Sequence, residues 1–205
     1  MGRYVEAVCR LCRREGEKLF LKGEKCFTDK CAVTRRASAP GQHGKRPVRI
    51  SEYQIRLREK QKARKIYGLG ERQFGGYFER ASAQAGATGE RLLELLERRL
   101  DNVVYRLGFA TSRSAARQMV RNGGITVNAR KVNIPSYMVK IGDAVNVASK
   151  MTALAKGALE KFPDRVTPAW LSLTGEVEGK VLAVPKRSDI ELALSEHLIV
   201  EYYSR

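Results

Sequence analysis

The chain has 205 residues, enough for one large or two small domains, each burying its own core. It carries 39 Lys and Arg against 22 Asp and Glu, a formal net charge of +17, which implies a polyanionic partner, nucleic acid before membrane. No run of about 18 apolar residues exists to span a bilayer, so no membrane partner is expected. The N-terminus lacks an apolar signal core, and Glu6 breaks the myristoylation pattern, so the chain reads as cytoplasmic or made inside an organelle. The charge is uneven: residues 1–65 hold 19 Lys and Arg against 7 Asp and Glu, which is +12 of the +17.

All four cysteines lie within the first 31 residues, as Cys9-x2-Cys12 and Cys26-x4-Cys31. A Cys-x2-Cys knuckle lets two thiolates converge on one ion, and a second pair across a short loop completes a tetrahedron. Four sulfur ligands suit Zn2+ or an iron–sulfur cluster, and the spacing does not choose between them. Disulfides and inert thiols are the other readings; a reducing cytosol argues against the first, and clustering in one short segment against the second. Arg10, Arg13, Arg14, Lys22 and Lys25 surround the knuckle and would offset the charge of four thiolates. A segment this poor in apolar residues needs a staple. His43 reads as a polar loop residue beside a complete set of four sulfurs.

Residues 34–50, TRRASAPGQHGKRPVRI, are rich in Pro, Gly and base without apolar periodicity, and read as an arm laid along RNA. Ser51-Glu52-Tyr53-Gln54 forms a capping box opening a helix that ends at Gly68. That helix holds Arg56, Arg58, Lys60, Lys62, Arg64 and Lys65, six cations that serve either RNA or a solvated face. The next helix places Phe74, Tyr77, Phe78 and Ala81 at i, i+3, i+4 and i+7, a stripe read as core in preference to a base-stacking surface. Thr88 is the expected cap of a further helix, in which Leu96, Leu100, Val103, Val104 and Leu107 keep helical spacing up to Gly108.

Thr111 or Ser112 then caps a helix stopped by Asn122-Gly123, with Ala115, Ala116, Met119 and Val120 as its apolar face. Arg113, Arg117 and Arg121 recur every four residues and form one ridge. Guanidinium forks match phosphate oxygens, so the ridge is a phosphate grip, with a solvated charged face as the plain alternative. Ile125-Thr126-Val127 and Lys131-Val132 read as strands around a turn at Asn128-Ala129-Arg130. Gly142-Asp143 is a second turn before a strand from Ala144 to Val147. Residues 150–165 read as a helix ending at Pro163, residues 168–173 as a strand bearing the only tryptophan, and Lys180 to Val184 as another strand. The tail SEHLIVEYYSR, with Ser195 as cap, fits a helix or a strand.

The run RLDNVVYRLGFATSRSAARQMV, followed by ITVN, IPSY and GD, resembles the RNA-binding module named after the S4 family of small-subunit ribosomal proteins. It departs from the family at Asn122-Gly123-Gly124, where His-Gly-His is common, and at Ala129, where a glycine usually follows Val-Asn. Alanine tolerates positive φ poorly, which puts the hairpin turn in question. With the cysteine segment, PGQHG, SEYQIRLREKQK and LIVEYYSR also in family order, the chain resembles bacterial-type members of the small-subunit (30S) S4 family that carry an N-terminal four-cysteine site.

The resemblance implies an α+β fold: a four-cysteine extension with a basic arm (1–45), a discontinuous helical domain (46–92 with 185–205), and an S4-like RNA-binding domain (93–184) of two short helices and a small antiparallel sheet. It implies a structural constituent of the small subunit that binds a multi-helix junction in the 5′ domain of 16S rRNA, nucleates assembly and contributes to translational accuracy. Implied partners are neighbouring small-subunit proteins, ribosomal protein S5 foremost, and in some members its own messenger RNA; no homo-oligomer is expected in the ribosome. RNA contacts are expected from Arg3, Arg10, Arg13, Arg14, Arg35, Arg36, Lys45, Arg46 and Arg49, and from all six cations of the helix after Ser51. On the module they are expected from Ser112, Arg113, Arg117, Arg121, Asn122 and Lys131. Two other classes carry such a module, RNA-modifying enzymes and free-standing RNA chaperones. Against the first, Arg99-Leu100-Asp101 lies inside the module and no catalytic domain, phosphate-binding loop or nucleophile pair accompanies it. Against the second, chaperones of this kind contain little beyond the module.

Overall fold

The computed structural model describes residues 4–44 and 49–204; the expected RNA contacts Arg3, Lys45 and Arg46 lie outside them. The chain divides into two compact units, one formed by residues 4–91 and 192–204, the other by residues 92–191.

In the first unit, α1 (Cys9–Glu15) and α2 (Ala32–Arg35) flank a 3-10 turn at Gly23–Cys26. α3 (Glu52–Ile66) opens with the expected capping box: Ser51 Oγ accepts from the Gln54 amide, and Gln54 Oε1 accepts from the Ser51 amide, both at 3.3 Å. Gly68, at φ +63°, closes it. α4 (Glu71–Ser82) buries Phe74, Tyr77 and Ala81, so the aromatic stripe is core. Its Phe78 stacks on Tyr203, with centroids 4.4 Å apart. Tyr203 belongs to α9 (Glu196–Tyr203), which makes the tail a helix packed along α3. Ser195 does not cap α9 with its hydroxyl. Its amide donates instead to the Glu59 carboxylate at 2.8 Å, which ties the start of α9 to α3.

The expectation of one helix running through Leu96 and Leu107 is corrected. α5 (Thr88–Glu97) stops, and α6 (Leu100–Arg106) begins after Arg99, whose backbone is extended at ψ 137°. Thr88 is itself the first helical residue, not a cap before it. The break has a cause: residues 135–139 cross it and take its backbone groups. The Leu100 and Asp101 amides donate to the Tyr137 and Pro135 carbonyls at 2.8 and 3.1 Å, and the Val139 amide donates to the Arg98 carbonyl at 3.0 Å.

α7 (Arg113–Arg121) is capped by Ser112, whose Oγ accepts from the Ala115 amide at 3.2 Å. Five antiparallel strands follow, β1 (Ile125–Val127), β2 (Arg130–Lys131), β3 (Ala144–Val147), β4 (Leu171–Gly175) and β5 (Glu178–Val181), in the order β2-β1-β3-β5-β4. α8 (Thr152–Lys161) lies between β3 and β4. The last two strands sit differently from expectation: Trp170 occupies a turn ahead of β4, and β5 ends at Val181. Leu100, Val103, Val104 and Leu107 from α6, Ala116, Met119 and Val120 from α7, alternate residues of β1 and β3, and Trp170 form one core. Each fully buried aliphatic side chain among them contributes roughly 1.5–3 kcal/mol of transfer free energy. Gly179 is required here: a Cβ at this position would stand 2.6 Å from a Leu107 methyl.

The hairpin turn is two residues, Asn128-Ala129, at φ +50° and +62°, with Arg130 already in β2. Positive φ at both centres is the turn whose twist matches the flanking strands. Asn128 offsets the strain at Ala129 with side-chain bonds: its Nδ2 donates to Asp143 Oδ1 at 2.8 Å, and its Oδ1 accepts from the Ala144 amide at 2.9 Å.

Candidate nucleic-acid interface

Geometry divides the expected RNA-binding residues into those committed within the protein and those presented at its surface. The six cations of α3 are all committed. Arg56 pairs with Glu52 at 3.2 Å and also with Glu201; Arg58 pairs with Glu15 at 3.4 Å, and Lys65 pairs with the same carboxylate. Lys62 meets Glu17 at 2.6 Å, and Arg64 meets Glu71 at 3.6 Å. Lys60 is 2% exposed, bonded to Glu71 at 2.5 Å and placed 4.5 Å from the Tyr202 ring centroid. The ammonium of Lys60, expected to touch RNA, is thus enclosed by Glu71 and Tyr202. Burial raises the Glu71 carboxyl, but the bond and charge of Lys60, with Arg64 and the Tyr203 hydroxyl, outweigh it and hold the group below its ordinary range.

On the module the ridge is also partly committed. Asp101, itself buried, accepts from Arg99 Nε and Nη2 at 3.0 and 2.8 Å and from Arg117 Nη1 at 2.9 Å. Asn102 donates to Glu97 at 2.7 Å and accepts from Arg113 Nε at 2.8 Å. Arg106 forks onto Glu97 with two bonds of 2.9 Å. Ser112, expected to touch RNA, is 8% exposed, and its hydroxyl caps α7. Arg113 and Arg117 are half-buried and oriented from behind by neutral and acidic groups, whereas Arg121, Asn122 and Lys131 are exposed. The three exposed residues gather at the C-terminal end of α7, where Lys131 lies across Gly123 and the Lys150 ammonium donates to the Asn122 carbonyl at 2.7 Å. Cations at a helix C-terminus are favoured by its dipole.

In the cysteine segment and arm, Arg10, Arg14, Arg35, Arg36 and Arg49 are exposed. Arg13 ties α1 to the arm through the Ser38 and Ala39 carbonyls at 3.0 and 3.4 Å, and Arg35 donates to the Asp29 carbonyl at 3.2 Å. Cys12, Cys26 and Cys31 are buried, and Cys9 is half-buried. Among the described residues, no three cysteine, histidine or carboxylate side chains are grouped closely enough to hold a metal ion. The donor set is nonetheless of the right kind: Cys12 lies within electrostatic reach of the other three thiols, and backbone amides point at the sulfurs. The Lys22 amide donates to Cys26 Sγ at 3.3 Å. Burial raises the Cys12 and Cys26 thiols against the pull of the Leu19 and Lys22 amides. For Cys31, burial is outweighed by the Val33 and Thr34 amides and by Lys18, and the thiol is lowered. Amides aimed at sulfur favour the thiolate, which is the form that binds metal.

Sequence reasoning missed Arg106, Lys150 and Arg165. Arg165 lies 4.5 Å from the Tyr105 ring centroid, as Arg113 does, and donates to the Tyr105 and Ala110 carbonyls at 3.3 and 3.0 Å. It closes the end of α6 from a loop with no periodicity, and no local sequence signal marks it.

A cysteine-bearing helical unit joined to a module of short helices with a small sheet, both presenting exposed cations, defines a polyanion-binding class of protein. Residues 3–97 match the ribosomal protein S4/S9 N-terminal domain family, and residues 98–145 match the S4 domain family. Similar proteins over the full length of both chains are the small ribosomal subunit proteins uS4 of Solidesulfovibrio magneticus, at 56% identity, and Pelotomaculum thermopropionicum, at 57%. The small ribosomal subunit protein uS4A of Alkaliphilus oremlandii is 58% identical, again over both full chains. The chain belongs to the uS4 family of small-subunit ribosomal proteins, and it is not an enzyme.

Proposed function

We propose that the chain is a structural constituent of the small ribosomal subunit in the cytoplasm, binding the 5′ domain of 16S rRNA at a multi-helix junction and nucleating assembly around it. The observation that carries this reading is the end-to-end similarity to uS4 proteins, at 56–58% identity over the full length of both chains. The geometry supplies a mechanism. Exposed cations of the cysteine segment and arm, with Arg10, Arg14, Arg36 and Arg49, form one contact surface. Arg121, Asn122, Lys131 and the oriented Arg113 and Arg117 form another. Such surfaces recognise folded RNA through phosphate position and shape, not by reading base edges in a duplex. Contact with ribosomal protein S5, an influence on translational accuracy and, in some members, binding to its own messenger RNA belong to the same reading.

Cys9, Cys12, Cys26 and Cys31 are the ligands in this proposal for Zn2+ or an iron–sulfur cluster. Four protein sulfurs leave no open coordination position, so the metal fixes the shape of a segment with few apolar residues and performs no chemistry. Elemental analysis of gently purified protein is expected to find one of the two metals, and finding neither removes the site.

The test of the main reading is binding to the isolated 16S 5′ domain with excess tRNA as competitor, over a salt series. Tight binding that survives tRNA is expected, with a log–log salt slope of several units for on the order of eight phosphate contacts. Binding abolished by tRNA would leave only a nonspecific basic surface.

A further inference from the structure

Within the cysteine segment, two phenylalanines are turned outward. Phe20 and Phe27 lie with ring centroids 5.0 Å apart and planes inclined by 33°, yet they remain 39% and 59% exposed. The neighbouring Leu19, which is smaller, is the side chain taken inside, at 3% exposure. The backbone is set up to do this. Phe20 has φ +51°, a conformation that bulky residues rarely adopt, while the Leu19 amide is directed at Cys12 and the Lys22 amide at Cys26 Sγ. The Lys22–Cys26 bond holds the loop after Phe20, buried Leu19 anchors it before, and the left-handed residue between them leaves its ring at the surface. Strain of this kind persists only where surrounding structure over-determines it, and it concentrates at binding sites.

The segment that bears the rings carries lysines interleaved with Glu17, Glu24 and Asp29. Lys18 and Lys22 stand two residues either side of Phe20, Lys25 two before Phe27, and Lys30 three after it; all four are exposed. An exposed aromatic pair on a segment that also carries exposed lysines is the composition of a single-strand platform: cations hold the backbone, and π faces accept bases of any identity.

We propose that Phe20 and Phe27 form a stacking platform for an unpaired base of the bound RNA, with Lys18, Lys22 and Lys25 holding the adjoining phosphates. This rests on the RNA-binding reading above and names the unpaired nucleotide as what the cysteine segment receives. It also gives the cysteine site a purpose beyond shape, because the thiols position the loop that carries Phe20.

The experiment uses the full chain and the 16S 5′ domain with tRNA competitor. Phe27→Leu keeps an apolar side chain but removes the π face, and Phe27→Trp keeps the face and adds a reporter, the native Trp170 being 1% exposed and silent to surface contacts. Phe27→Leu is expected to weaken binding about 5- to 150-fold with the log–log salt slope unchanged, since a stacked base releases no counterion. Phe27→Trp is expected to bind as the parent does and to lose emission when RNA is added. Wild-type affinity for Phe27→Leu, or unaltered emission from bound Phe27→Trp, overturns the platform while leaving specific rRNA binding intact. Failure of the unsubstituted protein to resist tRNA would instead overturn the RNA-binding reading itself. If Phe27→Leu also lost metal, the emission of Phe27→Trp would decide alone.

Discussion

α3 and the C-terminal end of α7 are both rich in base, and they use it in opposite ways. On α3, six cations in ten residues meet carboxylates brought from α1 and the turn after it, from α4, from α9 and from the helix itself, so the densest basic run in the sequence is an internal fastening. Glu15, whose side chain is 3% exposed, accepts Arg58 and Lys65 together and thereby joins the cysteine segment to α3. At the end of α7, Arg121 and Lys131 face solvent, and the carboxylate of Asp101 is spent farther back, on Arg99 and Arg117. Charge density along a sequence therefore does not locate a ligand surface. What locates it is where the counter-charges end up.

The largest effect is expected at Asp101. Asp101→Asn strips the counter-charge from Arg99, which is 0% exposed, and from Arg117. Breaking a buried pair from one side costs about 3–5 kcal/mol, because the remaining charge stays desolvated. Urea unfolding should show that loss, and a change below about 1 kcal/mol would mean that the Arg99 guanidinium finds another anion.

Next comes the contrast between the two basic regions. Arg121→Ala with Lys131→Ala should lower the salt slope of rRNA binding by about 2 and leave the melting temperature unchanged. Arg56→Ala with Arg64→Ala on α3 should do the reverse, lowering stability with little change in slope. If both pairs flattened the slope equally, α3 would be a second RNA surface, exchanging its carboxylates for phosphates on binding.

A smaller effect tests the fastening by pH. The Glu71 carboxyl is held below its unfolded value, so its contribution is fully present above the ordinary carboxylate range and is lost as pH falls through the folded value. Glu71→Gln should cost about 1–2 kcal/mol at neutral pH, discounted because this carboxylate is half exposed. Unfolding followed from pH 7 down to about 3 should find the difference between variant and parent shrinking toward acid. A difference independent of pH would assign the loss to packing.

Much of this architecture is legible in the sequence, because the signals are local. Ser51 with Gln54, the i, i+3, i+4, i+7 run of Phe74, and Gly108 or Gly123 after an apolar stripe each act within one or two turns of chain. The failures are tertiary. Nothing near Arg99 announces that residues 135–139 will take the backbone groups of its neighbours and break the helix there. Nothing in EYQIRLREKQK says that Glu15, Glu17, Glu71 and Glu201 will arrive to neutralise it. Arg165 and Lys150 were invisible for the same reason: each acts on a helix end remote in sequence.

The smallest expected effect is at the hairpin of the RNA-facing module. Ala129 holds φ +62°, where an L-residue with a Cβ is strained by roughly 1–2 kcal/mol. Ala129→Gly relieves that strain but enlarges the unfolded ensemble, which returns about 0.4–1 kcal/mol. A net stabilisation of about 0.5–1 kcal/mol is therefore expected, with rRNA affinity unchanged because the turn keeps its shape. Asn128 decides whether this reasoning is right. Its side chain already pins the turn through Asp143 and the Ala144 amide. Asn128→Ala should therefore destabilise the parent by more than Ala129→Gly stabilises it, and combining the two should recover only part of the loss. If Ala129→Gly were neutral or harmful, the freedom that glycine adds to the unfolded chain would match or exceed the strain it relieves, and Ala129 would be little strained in the folded turn.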